Sequence, residues 1–306
     1  MKALILVGGF GTRLRPLTFS CPKSIVEFAN KPIVTHQIKA LVDVGVKEII
    51  LAVGFQPKSM IEKIQQFEKE FGVKIICSQE TEPLGTAGPI RLAKEILEKD
   101  NQSELFLFLI VILFANSLSK KCLNSIKNMG KKLEPKSLER DIFPKMSSDG
   151  QLYSQDLEGF WMDVGQPEDF IIGTQLILDS YKKNTPEKLS TGQNIIGNVL
   201  IESSSKISAN CLIGPNVTIG SNCVIEDGVR LQNVIVLSNC TIKAYTWVKD
   251  SIIGWDCSVG KWVRIEGLSV LGEDVHIKDE LFINQAKILP HKAITSNISE
   301  KGQILM

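Results

Sequence analysis

Several things that this chain has little of narrow what it can be. Charge of one sign is missing: 35 Lys and Arg stand against 34 Asp and Glu in 306 residues, a formal net charge of +1. No global field therefore recruits nucleic acid or an anionic membrane surface, and any anion site must be local. Long apolar runs are missing too. The most hydrophobic stretch, Leu105 to Ala115, is about half of the ~20 residues that span a bilayer as a helix, so it reads as a buried strand. The apolar start, Met1 to Val7, is cut by Gly8-Gly9 and Arg13, too soon for the core of a secretory signal. Seven cysteines form an odd set without a C-x-x-C pair, which predicts reduced thiols and a cytoplasmic location. Only three histidines occur, His36, His276 and His291, and their scatter excludes a zinc site. Neither G-K-[ST] nor G-x-G-x-x-G is present, which removes P-loop and dinucleotide-binding readings.

What is there begins with a repeat. Ile195, Ile201, Ile207, Ile213, Ile219, Ile225, Leu231 and Leu237 recur every six residues, and after a phase shift the period resumes at Ile253, Val259, Ile265, Leu271, Ile277, Ile283 and Leu289. Sandwich strands would alternate with period two at irregular spacing. A fixed six, with Gly214, Gly220, Gly254, Gly260 and Gly272 following the aliphatics, predicts a parallel β-helix of triangular coils with one inward aliphatic per short strand.

The first half differs. Apolar strands at 2–7, 48–53 and 73–77 alternate with helical patterns at 32–45, 57–71 and 87–99, the signature of a mostly parallel α/β sheet, which binds nucleotides at the carboxyl ends of its strands. A further helix is expected over 167–183 and a polar linker over 182–193. The domains are thus expected at 1–190 and 191–306.

Strand 2–7 runs into Gly8-Gly9-Phe10-Gly11-Thr12-Arg13-Leu14-Arg15-Pro16-Leu17-Thr18, with Pro22-Lys23 close behind. Glycines directly after a strand bring bare N–H groups against phosphate oxygens, and Arg13, Arg15 and Lys23 supply the charge that a triphosphate needs. Two further segments stand out: Glu82-Pro83-Leu84-Gly85-Thr86-Ala87-Gly88, and Gly159-Phe160-Trp161-Met162-Asp163-Val164-Gly165-Gln166-Pro167. Read as residues alone, Thr86 and Asp163 could instead cap the helices that follow them.

Together these segments resemble the nucleoside-diphosphate-sugar pyrophosphorylases, and the whole chain outside roughly 105–132 resembles mannose-1-phosphate guanylyltransferases. The resemblance implies a Rossmann-like nucleotidyltransferase domain followed by a left-handed β-helix, acting on GTP and mannose 1-phosphate to give GDP-mannose and pyrophosphate. It implies substrate contacts at Leu6, Gly8, Gly9, Gly11, Thr12, Arg13, Lys23, Gly85, Thr86 and Asp163. Arg13 and Lys23 are the implied catalytic residues, and Asp163 the implied ligand of Mg²⁺. Exposed end coils of a β-helix need covering, which implies a homo-oligomer or a hetero-oligomer with a related subunit.

The resemblance also implies what is gone. The family's Asn-Ser-Asp metal triplet and its Val-Glu-Lys-Pro sugar-phosphate lysine have no counterpart, and Leu105 to Asn124 holds no carboxylate. The catalytic domain is expected to be shortened by several dozen residues, with weak or absent turnover. A catalytically impaired splice form or regulatory homologue that binds nucleotide sugar or partner subunits is the alternative function. A third, β-helix acyl transfer, needs a general-base histidine, for which only His276 and His291 lie in the right half.

Overall fold

A computed structural model describes residues 1–9, 11–54, 58–80, 84–99, 106–110, 137–150 and 160–306. The chain separates into two compact units, Met1–Phe10, Lys23–Ile25 and Ile33–Met162 in the first, and Gly11–Pro22, Val26–Pro32 and Asp163–Met306 in the second.

The first unit is built on a parallel sheet of β1 (Lys2–Leu6), β2 (Glu48–Val53), β3 (Lys74–Gln79) and β4 (Phe106–Ile110), in the order β3-β2-β1-β4. All pairs are parallel, with Leu4 opposite Ile50 on one side and Phe108 on the other. Because side chains alternate across a strand, Leu4, Leu6, Ile50 and Ala52 share one face and pack against Ala87, Ile90, Ala93, Leu97 and Leu138. Ile5, Ile49 and Leu51 are also wholly buried, which explains why these strands read as unbroken apolar runs. The amphipathic helices α1 (Ile33–Asp43) and α2 (Lys58–Phe71) fall where the 3.6-residue pattern puts them. The helix expected over 87–99 is two short ones, α3 (Gly88–Leu92) and α4 (Lys94–Glu98), separated at Ala93 with φ −82° and ψ 0°. The strand expected over 105–115 pairs with β1 through Phe106–Ile110, and its remainder lies outside the described residues. A π-turn at Leu138–Ile142 leads into α5 (Phe143–Ser148).

The second unit is the parallel β-helix with α6 (Pro167–Asn184) against it. Three ladders of short parallel strands stack at offsets of 17 or 18 residues, as in Val199, Val217, Val234 and Ser251. Ile213, Ile219, Ile225, Leu231, Ile253, Val259, Ile265, Leu271, Ile277 and Ile283 form one continuous core, as the period of six predicts. Leu237 and Leu289 depart from that prediction: Val236 and Ile288 stack in register with Ile253 and Leu305 instead. Coils of 17 residues drop one residue at a corner, where Asn233, Asp250 and Gln285 adopt φ of 51°, 47° and 49°, a conformation that Asn and Asp tolerate best among residues with a Cβ. Corner side chains bridge the coils, Asn216 donating to Asn233 at 3.2 Å and Asn233 to Asp250 at 2.8 Å.

The cysteines of this half are structural. Cys223, Cys240 and Cys257 stack inside the helix, and their thiols donate to the carbonyls of Leu237, Gly254 and Gly272 at 3.1, 2.9 and 3.1 Å. Burial pushes the Cys240 thiol well up, which keeps it protonated and inert. No described helix is long and apolar enough to cross a membrane.

Candidate functional site

In the second unit, the sequence folds locally so as to aim Arg13 outward. Gly11 takes the left-handed conformation at φ 57° and starts a 3-10 turn over Thr12–Leu14. Its carbonyl accepts from the Leu14 amide at 2.9 Å and from the Thr18 hydroxyl at 2.7 Å. Leu14 and Leu17 are fully buried and pin the loop, while Thr12 and Arg13 stay exposed. Arg15, the other loop arginine, lies over the Phe19 ring at 4.6 Å.

Asp163 sits against that loop. Its neighbour Val164 is buried, and a methyl placed on Gly173 of α6 would come within 2.8 Å of Val164 and 3.1 Å of Phe28. Phe28 in turn meets Phe170 edge to face at 5.1 Å, so the strip 163–165 is clamped by α6. Gly165 is small for a reason visible here: a Cβ would lie 3.1 Å from the Arg13 guanidinium and 3.2 Å from Asp163 Oδ1. The Arg13–Asp163 ion pair itself is long, 4.0 Å to Oδ2, and worth little in water. The other oxygen, Oδ1, is buried and has no hydrogen-bond partner. Asp163 does not cap α6, whose N-cap is Gln166 without a side-chain bond.

In the first unit, β1 delivers Leu6, buried, and then Gly8 and Gly9, exposed. Lys23 opens a 3-10 turn over Lys23–Ile25 and is half-buried above Ser24 and Ile25. Gly85 is exposed with φ 71°. Thr86 does not cap α3, whose N-cap is Ala87 without a side-chain bond. Its hydroxyl instead donates to Glu139 at 2.9 Å and accepts from the Leu138 amide at 2.8 Å. Of the expected residues, then, the structure joins Arg13 with Asp163 in one unit, and carries Leu6, Gly8, Gly9, Lys23, Gly85 and Thr86 on the other.

The Glu139 carboxyl is held below its ordinary value, first by the Ser137 hydroxyl, with its own amide, Thr86 and Arg140 adding to this against burial. A depressed carboxylate stabilises the fold above its unfolded pKa, and that contribution is lost as pH falls through the folded value. Thermal melts should therefore lose stability as pH drops below the ordinary value of 4.5. Thr86→Val should cost about 1–2 kcal/mol at neutral pH and make that acid loss shallower.

One carboxylate is not part of any motif. Glu80 follows β3, its amide bonded to the Val53 carbonyl at 2.9 Å. Its Oε1 is buried without a hydrogen-bond partner, and burial raises the carboxyl, with the Leu84 amide opposing. The available signal was positional: an acid directly beyond the carboxyl end of a sheet strand.

Comparison with known proteins agrees with this layout. Residues 2–139 match the family model described as nucleotidyl transferase, and residues 195–304 match the one described as GMPPB C-terminal domain. A parallel-sheet nucleotidyl transferase domain followed by a parallel β-helix is the class to which this architecture belongs. The "Mannose-1-phosphate guanylyltransferase catalytic subunit beta" of Dictyostelium discoideum is 48% identical over 362 positions. The "Probable mannose-1-phosphate guanylyltransferase 3" of Oryza sativa and the "Mannose-1-phosphate guanyltransferase" of Schizosaccharomyces pombe are each 44% identical over 363. Each comparison covers all of both chains. The chain belongs to the mannose-1-phosphate guanylyltransferase family. An alignment of 363 positions against 306 residues leaves about 57 positions of these relatives without a counterpart here.

Proposed function

We propose that this chain binds GTP and mannose 1-phosphate and transfers the guanylyl group between them slowly, releasing pyrophosphate and GDP-mannose. The observation that carries this reading is Asp163, a carboxylate with one buried, unpartnered oxygen beside Arg13. Such an oxygen suits a hard divalent cation, and Mg²⁺ is the proposed cofactor. When bound, Mg²⁺ offsets negative charge on the phosphates. Among the described residues no group of three His, Cys, Asp or Glu is placed to hold a metal, so the remaining ligands would come from phosphate oxygens and water. The glycine loop, Gly8, Gly9, Gly11 and Thr12, offers backbone N–H groups to the triphosphate. Arg13 and Lys23 hold its charge, and Leu6, Gly85 and Thr86 shape the nucleoside end.

Phosphoryl chemistry of this kind depends on positioning and electrostatics. Lacking the lysine motif and the metal triplet that its resemblance implies, the chain is expected to run about 10²–10⁴-fold below a full-length relative. The absent positions favour a second reading, a shortened regulatory family member that binds nucleotide sugar or partner subunits without turnover. Acyl transfer has no such support: both ring nitrogens of His276 are engaged, by Ser258 at 2.7 Å and Asp274 at 2.9 Å. The division into 1–190 and 191–306, a cytoplasmic location and an oligomer closed through the β-helix belong to the same proposal. Mass spectrometry of an incubation with GTP, mannose 1-phosphate and Mg²⁺ tests it. GDP-mannose should form from that pair, and UTP with glucose 1-phosphate should give no UDP-glucose; binding without product would favour the regulatory reading.

A further inference from the structure

The three faces of the β-helix differ in what covers them. On one, Ile235 and Ile252 point away from the core residues Val234, Val236 and Ile253 and are buried, with α6 packed against their strands. A second face presents mostly small or polar groups in register, Thr241, Ser258 and His276 among them. The third carries Arg230, Trp247, Arg264 and Phe282 as one outward column, each in register with the next. The Arg264 guanidinium lies over the Trp247 ring at 4.7 Å and over the Phe282 ring at 5.5 Å. Beside this column Tyr245 and Trp262 stack at 4.5 Å, yet stay 49% and 61% exposed. Both sit at corners with φ of 61° and 58°, a conformation that suits Gly, Asn and Asp far better than an aromatic residue. Gly228 fills the same corner one coil earlier, against the Tyr245 ring. Nothing in the winding of the coils calls for two large rings there, so their use lies in what they meet.

We propose that this face is where two copies of the chain meet about a two-fold axis. A two-fold contact sets one patch against itself in reverse order. With the axis between Trp247 and Arg264, the column Arg230, Trp247, Arg264, Phe282 of one copy lies against Phe282, Arg264, Trp247, Arg230 of the other. Every guanidinium then faces a ring, which attracts it through the ring quadrupole. Moving the axis by half a coil in either direction sets two guanidinium groups against each other, so the charge pattern selects one register. The same axis brings the two corner rings over the residues two positions beyond the column, whose side chains also point outward. Trp262 there meets Lys249, and the Tyr245 hydroxyl meets the Glu266 carboxylate. An acidic partner finds little free charge on this face, because Arg264 and Lys249 already pair with Glu266 and Asp250 at 2.8 and 3.7 Å. Trp, Tyr and Arg are the residues in which the energy of a protein contact concentrates.

This inference rests on the oligomer reading above and names its surface, and the test separates the two. Sedimentation equilibrium is measured on the intact chain and on a variant carrying both Tyr245→Asn and Trp262→Asn. Asn suits the corner conformation, so the variant should fold, with an unchanged far-ultraviolet circular dichroism spectrum. Wild type should sediment at twice the chain mass or more. The variant's dissociation constant should rise at least about 100-fold, as when two aromatic anchors are lost. Arg264→Glu, which replaces the guanidinium facing the Trp247 ring with an acid, should weaken the contact as well. Assembly of the folded double variant as tight as that of wild type overturns the role of this face and leaves an oligomer closed elsewhere, through the end coils. A wild type that stays at the mass of one chain at every concentration overturns both.

Discussion

Asp163→Ala is expected to lower pyrophosphate release from GTP and mannose 1-phosphate by at least about 10²-fold, the usual consequence of removing a group that stabilises charge only in the transition state. The melting temperature should barely move. The ion pair that the change removes is long, 4.0 Å, and its Arg13 partner is 60% exposed, so it contributes at most about 1 kcal/mol. The change also takes away a buried oxygen that had no partner, which favours the variant. A structural aspartate would show the reverse, a lower melting point with proportionate loss of activity. Glu168→Ala, an exposed acid in the first turn of α6, is the control and should leave turnover unchanged.

The second large effect lies in the β-helix. Gly254 follows the inward Ile253, and its amide donates to the Leu271 carbonyl at 3.0 Å on the next coil. A Cβ there would fall on the Gly272 carbonyl oxygen and within 2.6 Å of the Gly272 carbonyl carbon and of Leu271 oxygen. These are backbone atoms of an adjoining strand and cannot swing aside as the end of a side chain can. Overpacking of this kind costs 1–3 kcal/mol and occasionally more, and Gly254→Ala should reach about 3 kcal/mol in denaturant unfolding. Gly192→Ala, where the new methyl would meet only Ile195 at 3.5 Å, should stay within about 0.5 kcal/mol.

Much of this fold is legible in the sequence because burial imposes its period on the residues. The strands at 2–6 and 48–53 are apolar on both faces over most of their length, 74–79 carries the apolar run Ile75-Ile76-Cys77, and the helices over 33–43, 58–71 and 167–184 carry apolar stripes. The β-helix announces itself through one aliphatic in six. That count slips at Leu237 because dropping a corner residue moves Val236 into the stack, and Leu237 is itself apolar and 2% exposed. A pattern of apolar residues cannot distinguish two adjacent ones that are both buried. The break at Ala93 has no local breaker in the sequence and was hidden for that reason.

The site is legible where chemistry requires a residue type in a fixed order. Glycines after a strand, followed by Arg13 and Lys23, are the pattern on which the proposed anion site rests, whereas the clamping of Asp163 through Val164 and Gly173 is a property of packing. Glu80 escaped notice because, apart from its position just beyond a strand, nothing in its neighbourhood in the chain marks its burial; the approach of Gly8 does. The absence of about 57 positions relative to the curated relatives is visible in the sequence as a stretch without carboxylates, and it bears most directly on rate.

The most direct test of this account is the steady-state rate of pyrophosphate release from GTP and mannose 1-phosphate in Mg²⁺, measured on the intact chain beside the Dictyostelium relative. The account predicts a measurable rate about 10²–10⁴-fold below that relative, lost on Asp163→Ala. A rate equal to the relative's, or no release at all from a folded chain that binds GTP, would contradict it.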